Sequence, residues 1–200
     1  MNVILSRYVF ITQKIYWFAY LQMLWMLFTL LGLVIFGGFP ATHALFTVLR
    51  EKDLSTGEAF RTFRNAFASS FVKLNGAAIV FGFMFILIST NLLILQSIYM
   101  KYLVMGMLGL IFISMIHFFQ YFETKKPIIF QIKKAFSVVW ILPKNNVGYL
   151  VIFVLLLLAI SYIPMLSFFF GVSVAVCFIV KIGDSKENQR LKAQLAERSS

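Results

Sequence analysis

Hydrophobic positions in this chain come in long unbroken stretches, with short polar segments between them. Four runs without a charged residue, at 15–49, 74–100, 102–122 and 145–180, each exceed the roughly 18 residues that mark a bilayer crossing. The first run predicts a span over 18–37; at 1.5 Å per residue it covers about 30 Å, one hydrocarbon core. It then meets the Gly37-Gly38 break and Phe39-Pro40, and restarts toward Arg50-Glu51. Glycine loosens the end of one helix and proline suits the first turn of the next, so residues 41–51 read as a helix at the membrane surface. The next two runs predict a hairpin of spans over 76–96 and 102–122. The last run would extend about 54 Å as one helix, too long for one upright span. Pro164 near its middle predicts a tight hairpin instead, 147–163 and 165–180.

The polar segments carry their own helical pattern. Residues 1–14 alternate apolar and polar positions at helical spacing, as an interfacial lead-in to the first span does. Ser55 followed by Glu58 is a capping-box pattern opening a new helix. That helix sets Phe60, Phe63, Phe67 and Phe71 on one face and turns Arg61, Arg64 and Lys73 elsewhere. A second amphipathic segment, 128–142, opposes Ile128, Ile129, Ile132, Phe136, Val139 and Trp140 to Gln131, Lys133, Lys134 and Ser137, and Pro143 ends it. The predicted fold is all-α: a polytopic membrane protein of about five transmembrane helices plus two amphipathic in-plane helices. Residues 1–180 form one integral membrane domain and 181–200 a polar cytoplasmic tail.

Composition agrees: 61% of the 200 residues are hydrophobic and 12% charged, too apolar for a soluble domain. The net charge of +11 needs no nucleic acid to explain it, because basic residues collect in cytoplasmic loops of multi-spanning proteins. An amino terminus outside and a carboxyl terminus in the cytoplasm place fifteen basic residues inside, against Arg7, Lys14 and Lys101 outside. Cys177 stands alone in an apolar run and behaves as a small hydrophobe.

The same topology places all seven carboxylates on the cytoplasmic side. The outer face therefore has no carboxylate pair for glycoside cleavage. No phosphate-binding glycine loop or metal-ligand cluster is present in the sequence either. The expectation is no enzyme and no cofactor, with the lipid bilayer as the first partner. No Asp, Glu, Lys or Arg falls within an assigned span. The intramembrane polar candidates are Asn91 on the second span and Ser114, His117 and Gln120 on the third, three apart and so on one helix face. They either line a polar path or hydrogen-bond between helices, and the second reading is favoured. His43, on the surface helix, is expected to be solvated. The phenylalanine row either packs on lipid and the spans or anchors a membrane partner.

The run LWMLFTLLGLVIFGGFPATHALFTVLRE resembles the opening signature of the YesL-like family of bacterial integral membrane proteins, a domain of unknown function (number 624). There a first span ends in a Gly-x-Phe-Pro-Ala-Thr-x-Ala-like motif that leads to a short helix and a basic residue. The matching positions are Gly37, Phe39, Pro40, Ala41, Thr42, Ala44 and Arg50. The resemblance implies an inner-membrane location and no particular chemistry. Members are often encoded beside genes for carbohydrate import and polysaccharide breakdown, which implies an accessory or regulatory role near sugar uptake and a membrane transporter as partner. The rival reading is a small transporter or channel subunit.

Overall fold

A computed structural model describes residues 2–51 and 54–185. Among them there are seven helices and no strand: α1 (Asn2–Leu31), α2 (Gly38–Arg50), α3 (Thr56–Ile94), α4 (Ile98–Gln120), α5 (Ile128–Ile141), α6 (Pro143–Tyr162) and α7 (Pro164–Gly183). Five of them are long and apolar enough to cross a membrane: α3, α4, α6, α7 and the Arg7–Leu31 part of α1. Most of the expected punctuation is in place. Ser55 and Glu58 form both halves of the capping box that opens α3. Pro143 and Pro164 stand in the first turns of α6 and α7, where a missing N–H costs nothing.

Two boundaries differ from the sequence pattern. The phenylalanine-bearing segment is not a separate in-plane helix, because it continues into the following span as one helix of 39 residues. Such a helix is about 58 Å long, roughly twice a hydrocarbon core. The first span ends at Leu31, six residues before Gly37, and residues 32–37 form a tight turn. Here Leu33 and Val34 adopt left-handed backbone angles (φ 55° and 65°), which side-chain-bearing residues take rarely and at a cost of about 1–2 kcal/mol each. The turn is held by Val34 N–H to Thr29 O (2.9 Å) and Gly38 N–H to Val34 O (3.0 Å). A Cβ on Gly37 would overlap the Thr29 carbonyl, and one on Gly32 would overlap Gly37 itself, whereas Gly38 faces open space.

The helices run in a consistent sense. In the α6/α7 hairpin Gly148 lies by Ile182 and Gly171 by Leu156. Across α4 and α6, Phe112 meets Phe153 (centroids 4.3 Å apart) and His117 meets Tyr149 (5.2 Å). Across α1 and α7, Ser173 bonds to Phe18 O and to Gln22. One turn earlier on α1, the charge of Lys14 reaches Cys177, one turn later on α7. Helices α1 and α7 are therefore antiparallel, and the start of α1 lies beside the end of α7.

The core gathers at one end of the bundle, where α4 and α7 finish and α6 begins. Its centre is α2. This helix touches α1, α3, α4 and α7, and Ala41, Ala44, Leu45, Phe46 and Val48 are buried. The surface location expected for α2 is thus corrected: it is the most enclosed helix of the fold. Lipid offers no hydrophobic drive for joining helices, so contacts such as Phe28 on Phe63 and Phe67 (both 5.0 Å) and Phe39 on Phe119 (5.1 Å) do the holding. Aromatic pairs contribute about 0.5–1.5 kcal/mol each beyond their burial. Toward the opposite end, large apolar side chains of α3, α4, α6 and α7, among them Leu93, Leu103, Leu155 and Met165, are exposed, as lipid-facing positions are.

Candidate functional site at the packed helix ends

A cluster of polar side chains forms where α2 and α4 end and α6 begins. Arg50 leaves the last turn of α2 and donates through Nη2 to Gln120 O (2.6 Å) and Gln120 Oε1 (2.9 Å). Its guanidinium also lies over the Phe46 ring. Burial pulls the Arg50 pKa below its ordinary value, and the negative charge of Asp184 works against that pull. One turn back on α4, His117 is fully buried and its Nε2 pairs with Asn146 Oδ1 at 2.8 Å. The Asn146 amide donates to Val139 O (2.6 Å), so its Oδ1 is an acceptor and His117 Nε2 carries the proton. These bonds tie α2 to α4 and α4 to α6. Gly183 at the end of α7 completes the junction, since a Cβ there would overlap the Gln120 side chain. Among the described residues, Arg50 Nε, Gln120 Nε2, His117 Nδ1 and Tyr149 OH have no hydrogen-bond partner.

The remaining candidates separate into those the fold uses and those it leaves outside. Ser114 is buried on α4 but bonds only back to Leu110 O (2.8 Å). Asn91 is exposed near the far end of α3 and bonds to Leu87 O of its own helix. It does not converge with Ser114, His117 and Gln120. In the signature helix, Phe39 packs on Phe81 and Phe119, Pro40, Ala41 and Ala44 are buried, and Thr42 Oγ1 accepts from Trp25 Nε1 (3.1 Å) while donating to Gly38 O (2.8 Å). His43 is not solvated: it is 8% exposed with its ring edge-on to Phe122. Burial first and the Arg50 charge second hold its pKa down to about 4.

The phenylalanine row is not a free partner face. Phe63 is fully buried, Phe28 of α1 contacts Phe60, Phe63 and Phe67, and Phe71 packs on Phe67. Phe60 lies at the rim, and Phe67 and Phe71 are half-buried. Sequence reasoning passed over Asn146, Tyr149 and Asp184 at the junction, and Gln22, which accepts from the Ser173 N–H at 2.9 Å. A lone amide inside an apolar span was the available signal for Gln22, because such groups seek a partner helix.

Residues 18–92 match the family described as "Protein of unknown function, DUF624". The "Uncharacterized protein YteU" of Bacillus subtilis (strain 168) is 30% identical over 166 residues, which cover 78% of this chain and 74% of that protein. The chain belongs to the DUF624 family. Two further B. subtilis proteins of similar sequence match over shorter stretches. "Uncharacterized protein YesL" is 48% identical over 58 residues (26% of this chain, 28% of that protein), and "Uncharacterized protein YesV" is 36% identical over 78 residues (36% of each). No solved structure matches. The DUF624 match contains α2, the phenylalanine row and Asn91, and ends before Ser114, His117 and Gln120.

Proposed function

We propose that this DUF624 protein is a non-enzymatic accessory or regulatory component of the bacterial inner membrane, working beside a carbohydrate importer. The observation that carries the reading is the use made of polar side chains. Arg50–Gln120, His117–Asn146, Gln22–Ser173 and Trp25–Thr42 each join two helices, and Asn91 stands apart from all of them. A carrier needs polar groups that face a shared path and stay available to a solute. Here they are engaged in holding helices together, as in a scaffold. The carbohydrate association rests on the genomic company kept by the family that the sequence resembles.

We also propose that both ends of the membrane domain face the cytoplasm, in place of the amino terminus outside. The antiparallel packing of α1 and α7 supports this reading, with α1 and α2 together as a re-entrant pair rather than a full crossing. Helix α2 brings the chain back so that Thr56 O, at the start of α3, accepts from Tyr20 OH of α1 (3.0 Å). This leaves α3, α4, α6 and α7 as an even number of crossings. Of the eighteen basic residues, Lys101 alone then lies on the outer side, a stronger inside bias than the alternative gives.

The test compares carbohydrate uptake in cells with and without the protein, and solute flux through proteoliposomes containing the protein alone. The expected result is slower uptake on deletion with the importer present in normal amount, and no flux through the purified protein. Flux of sugar or ion through the protein alone would favour the small transporter or channel subunit. Unchanged uptake would remove the carbohydrate association.

A further inference from the structure

The face that α5 turns outward has a composition unlike the rest of the packed end. At 100° per residue, its exposed positions Ile129, Phe130, Lys133, Ser137, Trp140 and Ile141 fall within one arc of about 120°. The opposite arc is buried and holds Gln131, Ile132, Ala135, Val138 and Val139. This partition departs from the sequence pattern, which put Gln131 on the polar side and grouped Ile129 and Trp140 with Ile132 and Val139 on the apolar one. The cause is Gln131, whose Oε1 accepts from Glu123 N–H (2.8 Å) and whose Nε2 donates to Glu123 O and Lys126 O (both 2.9 Å). Binding the 123–126 turn requires Gln131 to point inward, and that rotates Ile129 and Trp140 out to 69% and 78% exposure.

What covers this stripe follows from the chain. Helix α5 connects two antiparallel spans, α4 and α6, so both of its ends lie on one face of the bilayer and the helix lies along that face. The surface it meets is the lipid boundary, where an indole ring is at home. The charge beside it has one sign. Glu123 is the only carboxylate in residues 121–150, and it is engaged by Lys126 (3.3 Å) and Lys134 (3.2 Å). Lys133, in the middle of the stripe, and Lys125 and Lys144 at its two ends are exposed and make no ion pair among the described residues.

We propose that the outer stripe of α5 is a binding surface for anionic phospholipid. Ile129, Trp140 and Ile141 enter the acyl boundary, and Lys133, with Lys125 and Lys144, takes the headgroup charge. Each lysine near an anionic surface contributes about 1 kcal/mol, or about fivefold in affinity. The surface is rigid before lipid arrives, because Gln131 fixes the start of the helix and the inner arc is packed.

The test uses the full chain in phosphatidylcholine bilayers containing brominated lipid, whose bromines quench nearby indoles. The signal read is the quenching that disappears in Trp140→Phe, which subtracts Trp17 and Trp25. Brominated phosphatidylglycerol should quench Trp140 at a mole fraction at least fivefold lower than brominated phosphatidylcholine. Lys125→Gln, Lys133→Gln and Lys144→Gln together should abolish that difference, while Lys101→Gln in the first turn of α4 leaves it. The folded state of the triple variant is checked by its melting temperature in phosphatidylcholine alone, which should equal that of the wild type. In phosphatidylglycerol the wild type should melt higher than the variant. Equal quenching by both lipids, no quenching by either, or a preference that survives the triple change would each overturn the proposal.

Discussion

Arg50 and Gln120, seventy positions apart, are joined twice through one guanidinium nitrogen, once to the main-chain carbonyl that ends α4 and once to the side-chain amide. That fork closes the buried α2 onto the bundle. Hydrogen bonds to a charged group contribute about 1.5–3 kcal/mol, and a lysine ammonium, more strongly hydrated than a guanidinium and unable to lie flat over the Phe46 ring, loses more on burial here. Arg50→Lys should therefore lower the melting temperature of the detergent-purified protein, and Arg50→Ala should lower it further. Melting curves equal to wild type for both would show that the fork is dispensable.

His43 makes acid sensitivity an expected property. Its folded pKa of about 4 lies below the ordinary 6.5, so the folded state prefers the neutral ring. Stability from this site is complete above pH 6.5 and is lost as pH falls from there toward 4. A shift of that size corresponds to something on the order of 3 kcal/mol. Melting temperatures at pH 7.5, 5.5 and 4.5 should fall more steeply for wild type than for His43→Phe, and parallel curves would contradict the burial of this ring.

The two neighbouring glycines should behave unlike each other. Gly38→Ala meets open space and should leave yield and melting temperature unchanged or slightly raised. Gly37→Ala would drive a Cβ into the Thr29 carbonyl, and the already left-handed Leu33–Val34 turn has little freedom to yield. A loss of folded yield for Gly37→Ala alone is expected, and equal tolerance at both positions would refute this account of the turn.

The phenylalanine row divides by depth. Phe63→Ala empties a fully buried site against Phe28 and should cost about 3–5 kcal/mol, while Phe60→Ala at the rim should cost well under half of that. Thermal melting of the two single variants distinguishes this ordering from two small losses of similar size, which a partner-binding row would give.

How much of this was legible in the sequence varies with the kind of signal. Pro164 and the Ser55/Glu58 box act through local backbone chemistry, and both mark real boundaries, whereas the charge-free run that begins at residue 74 starts in the middle of α3. The position of α2 was hidden because Thr42, His43 and Arg50 read as surface residues. In the structure Thr42 is met by Trp25 and Arg50 by Gln120, and His43 is covered by Phe122, all remote in sequence. The inward turn of Gln131 was hidden for the same reason: its partners are main-chain groups of a loop, which no side-chain periodicity records. The shared face of Ser114, His117 and Gln120 was legible, but the partner Asn146 lies on another helix. Residues 186–200 of the expected cytoplasmic tail lie outside the described residues.

The central claim is that polar side chains in the spans lock helices together and line no path. Ser114 tests it most directly, since it is buried on the same α4 face as His117. In a Cys177→Ala background, Ser114→Cys should react with a small water-soluble methanethiosulfonate no faster than a core control, Ile113→Cys, from either side of native membranes. Ser97→Cys, at the exposed α3/α4 turn, should label readily from one side. Labelling of Ser114→Cys at a rate within tenfold of Ser97→Cys would mean that water reaches this face, and the account of a closed scaffold would be wrong.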